Sequence, residues 1–266
     1  MNRAHKYMIV IADDLTGAND TGVQFTRQGL QTEVLLEGTA LHEGVDAAVI
    51  VLDTNSRAIP ADEAYQKVQN AAKQANALGF SRYYKKMDST LRGNIGIEIK
   101  AILDLGVHEF ALVMPAFPQN GRTTVGGQYL LNGAPISTTE IARDPKCPVT
   151  ETVLPELLRQ QTGFLVGHIN FEDLAQGQEA VSQAIRRHVA AGCRIISCDA
   201  WQEEHFLLAA KAARDVSHKV LWAGSAGLAE CLPLLLGWTM EREIHQPTLV
   251  IAGSVSAVTR GQVETL

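Results

Sequence analysis

The sequence is poor in the features that announce disulfide, metal, membrane or nucleic-acid chemistry. Its four cysteines, Cys147, Cys193, Cys198 and Cys231, form no C-x-x-C pair, and three stand among apolar neighbours where small buried thiols are common. Neither disulfides nor zinc is expected. The eight histidines fall singly, with no H-E-x-x-H and no other paired spacing, so no metal ligand set is read from them. No apolar run nears the length of a membrane span, and the short polar stretch 1–6 precedes no apolar segment with a cleavage site. A cytoplasmic chain is expected. Basic residues are outnumbered, 23 against 29 acidic for a net charge of -6, which argues against nucleic acid or an acidic membrane as the main partner. A small metabolite fits better.

What is present is an alternation. Apolar β-type runs and helical patterns follow one another almost from end to end of the 266 residues, the signature of an α/β fold with a mainly parallel sheet flanked by helices. Strands are expected over 8–12, 32–36, 47–52, 82–86, 109–114, 164–169, 194–198 and 219–223, and helices over 18–28, 61–78, 172–191, 201–216 and 225–236. Pro60 and Gly79 bracket the second helix in the order that helices favour. The stretch 115–148 breaks the rhythm, with a β-hairpin over 129–136 around Asn132-Gly133, and is expected to lie over the site. Residues 1–236 form one domain and 237–247 a linker. The apolar strand 248–252 and the turn Gly253-Ser254-Val255-Ser256 open a second domain. A strand buried on both faces needs neighbours that do not follow here, so the remainder of that domain is expected to be absent and the chain to be a truncated form.

Polar residues gather where the apolar runs end. Met8 to Ala12 breaks into Asp13-Asp14, after which Thr16 can cap a helix starting near Gly17 whose open amides favour an anion. The plain alternative is a pair of turn and cap residues. Gly17 and Gly22 have P-loop spacing, but Val23 and Gln24 stand where Lys and Ser or Thr are required, which excludes Walker-type ATP binding there. The second cluster is Lys85-Lys86-Met87-Asp88-Ser89-Thr90-Leu91-Arg92-Gly93. Its cations can hold a carboxylate or neutralise a transferring phosphoryl group, with Lys86 the better placed lysine. Arg57, in D-T-N-S-R, can fork a carboxylate or be an exposed loop charge. In an open parallel sheet ligands bind outside the carboxyl ends of the strands, so Asp13, Arg57, Lys86 and Asp88 are expected to share one crevice. Gly224-Ser225-Ala226-Gly227 is a poor nucleophile elbow, since Ala223 stands two residues before Ser225 and no Asp and His partners are evident. Gly253-Ser254-Val255-Ser256 can cradle phosphate through its amides.

Taken together, I-A-D-D-L-T-G-A-N-D-T-G, D-T-N-S-R, K-K-M-D-S-T-L-R-G-N, M-P-A-F-P-Q-N-G-R-T-T and A-G-S-A-G-L-A resemble the four-carbon acid sugar kinase family, which includes D-threonate, L-erythronate and 3-oxo-tetronate kinases. The resemblance spans nearly the whole chain. It implies an N-terminal domain that binds the sugar acid, a C-terminal domain that binds ATP with its Mg²⁺, and phosphoryl transfer between them to the terminal hydroxyl. By that resemblance Asp13, Arg57, Lys86, Asp88 and Ser89 line the acid pocket, Asp14 and Arg92 stand close by, and Ser254 is the first nucleotide contact. Asp13 or Asp14 would orient or deprotonate the hydroxyl, Arg57 would hold the carboxylate, and Lys86 would screen phosphate charge. The 266 residues alone are expected to bind the acid without kinase activity, the glycine-rich nucleotide loop of the family having no counterpart in them. A non-catalytic sugar-acid-binding module is the alternative.

Overall fold

The computed structural model describes residues 8–238 apart from 43 and 46, together with 260, 261 and 263. The chain runs β1 (Met8–Ala12), α1 (Leu15–Arg27), β2 (Thr32–Leu35), β3 (Val49–Asp53), α2 (Ala61–Ala77), β4 (Tyr83–Lys86), α3 (Ile95–Leu103) and β5 (Phe110–Met114). A small antiparallel sheet follows, β6 (Arg122–Val125), β7 (Gln128–Leu131) and β8 (Ala134–Pro135). Then come α4 (Leu154–Thr162), β9 (Val166–Ile169), α5 (Phe171–Ala175), α6 (Gln178–Ala190), β10 (Ile195–Cys198), α7 (Glu203–Val216), β11 (Val220–Gly224) and α8 (Ala226–Leu236).

Eight strands form one parallel sheet in the order β2-β3-β1-β4-β11-β5-β10-β9. The central strands are apolar on both faces because both faces are covered. Along β1, Met8, Val10 and Ala12 enter a layer completed by Phe25 of α1, Phe206 of α7 and Leu228 of α8. Ile9 and Ile11 enter the opposite layer, with Val68 of α2, Ile99 of α3 and Leu158 of α4. Each fully buried Ile or Leu contributes about 1.5–3 kcal/mol, so the two layers hold the strand ends rigidly enough to present side chains. After β1 the chain moves to β2 and β3 on one side and then to β4 on the other, which makes the carboxyl end of β1 a switch point where a crevice opens.

Two local expectations are corrected and one is extended. Helix α1 begins at Leu15 and is capped by Asp14, whose extended backbone lets its side chain accept from the Gly17 amide, while Thr16 lies inside the first turn. The single helix expected over 172–191 is two: a reciprocal Asn170–Asp173 capping box starts α5, and Gly177, at φ 89°, breaks the path before α6. The expected hairpin is present as β7 and β8 around Asn132-Gly133, and β6 extends it to three strands through a turn at Gly126-Gly127, both at positive φ. Among the described residues no helix is long and apolar enough to cross a membrane. Linker residues 239–247, the expected strand 248–252 and Ser254 lie outside the described residues.

Candidate functional site

The loop after β3 folds back onto the end of β1. The Asp13 carbonyl accepts from the amides of Ser56 (2.9 Å) and Arg57 (3.2 Å), and the Thr54 hydroxyl donates to the Ala12 carbonyl at 2.7 Å. This brings the Arg57 guanidinium onto Asp13, which is 3% exposed: Nε donates to Oδ2 at 2.6 Å and Nη2 to Oδ1 at 3.0 Å. The same Nη2 lies 2.7 Å from Oδ1 of Asp14. Burial would ease the proton off Arg57, but the hydrogen bonds and charge of Asp13, with Asp88 and Asp14 behind it, hold it on more tightly than usual. The fork assigned from sequence to a substrate carboxylate is thus occupied by the two aspartates. That pairing was hidden because the partners are 44 and 43 positions apart.

Lys86 ends β4 beside this pair. It is 4% exposed, and its amine donates to the Met87 carbonyl at 2.8 Å. Gly17 lets it cross the start of α1, where a Cβ would lie 2.8 Å from the Lys86 amine and 2.7 Å from Oδ1 of Asp14. Among the described residues Lys86 joins no ion pair within 4.0 Å, unlike Arg57, Arg92 and Lys85 around it. Burial lowers its pKa from the ordinary lysine value, partly offset by the charges of Asp13 and Asp88. Lys86 thus places a buried amine near the start of α1 that no carboxylate claims among the described residues.

The third wall is the loop between β4 and α3. Burial would raise the Asp88 carboxyl, but hydrogen bonds from Arg92 and Thr90 and the charge of Arg57 hold it down at about 2. Arg92 Nε donates to Asp88 Oδ2 at 2.6 Å and Nη1 reaches Asp144 at 3.3 Å. Asn94 ties this loop to the one after β3, donating to the carbonyls of Ser56 (3.0 Å) and Ile59 (2.9 Å). Ser89 is partly buried, and its carbonyl accepts from the Tyr129 hydroxyl of β7 at 2.6 Å, so the antiparallel sheet braces the loop. The structure therefore brings Asp13, Asp14, Arg57, Lys86, Asp88 and Arg92 to adjoining strand ends, with Ser89 on the same loop.

Several other groups resolve into structural roles. Ser225 is buried, donates to the Ala116 carbonyl at 2.7 Å and caps α8, which leaves no nucleophile at that turn. Ser197, His168 and Asp199 line up, with contacts of 2.9 and 3.1 Å, yet Asp199 accepts from the Gly126 and Gly127 amides and Ser197 donates to the Gly167 carbonyl. This is a brace for the glycine turn. A cleft of about 430 Å³ beside β2 and β3, lined by Leu35, Leu52, Asp53 and Lys67, contains none of the residues predicted from sequence. Sequence reasoning ranked Lys85 below Lys86 and passed over Glu98; the two lie on the far side of β4 from Lys86 as a buried ion pair of 2.6 Å. Two-residue alternation along β4 separates the two lysines, and the helical glutamate 13 positions later is the remaining signal.

Residues 8–232 match the model of the sugar-binding N-terminal domain family, and the chain belongs to that family. Over 258 residues it is 40% identical to a D-threonate kinase of Salmonella typhimurium, covering 97% of this chain and 60% of that one. It is 37% identical over 262 residues to a D-erythronate kinase of Heliobacterium modesticaldum (97% and 60%), and 31% identical over 271 residues to a 3-oxo-tetronate kinase of Brucella melitensis (96% and 61%). The chain spans about 60% of the length of these relatives. Among solved structures it is similar to a Haemophilus influenzae protein (TM-score 0.84, 27% identity, 97% of this chain and 64% of that one). A Bordetella bronchiseptica protein described with bound citrate, as a domain-swapped dimer, superposes at TM-score 0.73 with 32% identity, over 87% of this chain and 56% of that one.

Proposed function

We propose that this chain is the acid-binding part of an ATP-dependent kinase that phosphorylates the terminal hydroxyl of a four-carbon sugar acid such as D-threonate, erythronate or 3-oxo-tetronate. The observation that carries the reading is Lys86, a buried ammonium at the start of α1 with no carboxylate claiming it among the described residues. The names of the relatives supply the substrate class, and citrate in the Bordetella structure is a hydroxylated carboxylate of related chemistry.

In this reading Lys86 and the first amides of α1 receive the ligand's negative charge. Arg57 holds Asp13 and Asp14 in place at the crevice, and Asp14, the more exposed of the two, meets the hydroxyl. Asp88, Ser89 and Arg92 shape the opposite wall. ATP and its Mg²⁺ enter in this reading as the phosphoryl donor and its ion, with Ser254 as the proposed first nucleotide contact. By itself the 266-residue chain is proposed to bind the acid without turning over ATP.

Calorimetry of the chain against the three tetronates tests the binding, and failure to bind any of them removes the proposal. Fusing the chain to the nucleotide-binding segment of the Salmonella D-threonate kinase tests the chemistry. ADP release with a tetronate supports a kinase, whereas binding without release favours the non-catalytic module.

A further inference from the structure

Lys85 and Glu98 form an ion pair buried from solvent. They are 0% and 1% exposed in the layer between the sheet and α3, among Ile11, Ile95 and Ile99. Taking two charges out of water there costs so much that a well-packed apolar pair is usually as stable or more so. The Lys85 ammonium is nonetheless fully used. Its amine lies 2.6 Å from Oε2 of Glu98, 3.2 Å from the carbonyl oxygen of Ile11 and 2.6 Å from that of Lys86, one acceptor for each of its three protons. Ile11 and Lys85 are register partners in the parallel pairing of β1 with β4. Two residues beyond Ile11 is Asp13, and the Lys86 carbonyl belongs to the residue whose amine faces the crevice.

The backbone end that carries the aspartates and the one that carries the anion-binding lysine are thus tied to a single buried charge. The tie is itself fixed to α3 through Glu98. We propose that Lys85, held by Glu98, is a positioning group that sets the spacing between Asp13 and Lys86 across the β1–β4 crevice. The role rests on the sugar-acid reading above, since it is the tetronate that would register the spacing. Binding energy for a small charged ligand depends steeply on such spacing, a displacement of an ångström costing about tenfold or more. An apolar pair at 85 and 98 would fill the layer but leave both carbonyls without their shared donor.

The test compares the wild-type chain with Lys85→Met/Glu98→Met and Glu98→Gln by D-threonate calorimetry, thermal melting and amide exchange. The double variant is expected to melt at or above the wild-type temperature while binding about tenfold more weakly, with faster exchange confined to residues 12–14 and 86–88. Glu98→Gln, which keeps shape and a hydrogen-bonding group, is expected to recover part of the affinity. Wild-type affinity in the double variant overturns the proposal. So does weakened binding that comes with a lower melting temperature and faster exchange throughout the sheet, the mark of a merely structural pair. If the double variant does not fold, Lys85→Leu/Glu98→Leu, which also removes the shared donor, decides, with unchanged affinity and exchange refuting the role. If the wild-type chain binds no tetronate, the sugar-acid reading falls while exchange at the two strand ends still decides this one: an unchanged rate there refutes it.

Discussion

Gly93 lies so close to Arg57 that a Cβ on it would sit 2.7 Å from the Arg57 carbonyl oxygen and 2.8 Å from Cγ of its side chain. The glycine also holds φ 91°, a conformation that side-chain-bearing residues adopt at a cost of about 1–3 kcal/mol. Gly93→Ala is therefore expected to destabilise the chain by about that amount and to push Arg57 off the aspartates. Thermal melting with tetronate calorimetry checks this, and an unchanged affinity would show that Arg57 is not held from this side.

Arg57 and the aspartates separate stability from chemistry. Removing the guanidinium leaves Asp13 buried without its partner, so Arg57→Ala is expected to cost about 3 kcal/mol of stability and not merely substrate affinity. Asp14→Asn keeps an amide oxygen able to cap α1, so its melting temperature should stay near wild type. In the fused enzyme the same change is expected to lower turnover by about 100-fold with KM little altered, as loss of a general base would. Wild-type turnover in Asp14→Asn would move the base to Asp13.

Two buried groups contribute to the acid limb of stability in different pH windows. His108 is 5% exposed, its ring stands edge-on to Tyr83 at 4.9 Å, and neither nitrogen has a partner among the described residues. Burial lowers its pKa from 6.5 to about 4, so the folded state refuses a proton that the unfolded chain accepts. Stability then falls as pH drops from about 6.5 to about 4, by about 3 kcal/mol, and this contribution levels off below. Asp88 acts lower down. Its carboxyl is depressed to about 2 from 3.8, and the stability it contributes above 3.8 is lost as pH falls through about 2. Denaturant melts of His108→Leu across pH should flatten the first slope, leaving the smaller share of groups such as the half-buried His205, and keep the second. A wild-type slope between 6.5 and 4 in that variant would contradict the assignment.

Tetronate affinity should also carry an alkaline limb. Because burial lowers the Lys86 pKa, the ammonium is lost at a lower pH than an exposed lysine's, and affinity should begin to fall before the ordinary lysine range. Gly17→Ala, whose methyl would press on the Lys86 amine, is expected to weaken binding by about tenfold at neutral pH. Calorimetry from neutral to alkaline pH checks both, and a flat profile would remove Lys86 as the charged partner.

Much of this was legible in the sequence because buried parallel strands announce themselves as short apolar runs, and the polar residues after them must lie at one edge of the sheet. The convergence of Asp13, Arg57, Lys86 and Asp88 follows from that rule alone. Their pairing does not. Arg57 could have faced solvent or a ligand, and only the return of the β3 loop onto the Asp13 carbonyl gives its fork to the aspartates. Asp14 and Thr16 are both good caps, and the extended backbone at Asp14 decides between them. Gly177 inside a helical pattern was compatible with a continuous helix until the Asn170 cap and the break at positive φ divided it. Glu98 reads as an ordinary first-turn glutamate, since nothing in spacing shows that Lys85 lies beneath it.

In the proposed function the Lys86 ammonium holds the charge of a four-carbon sugar acid. D-threonate calorimetry on the wild-type chain and on Lys86→Met, at neutral pH and with melting temperatures recorded, tests it most directly. Replacing an unpaired buried ammonium with an apolar side chain should leave the fold as stable or more so, while affinity falls by about 100-fold. Equal affinity in the two proteins, both folded, would contradict the account.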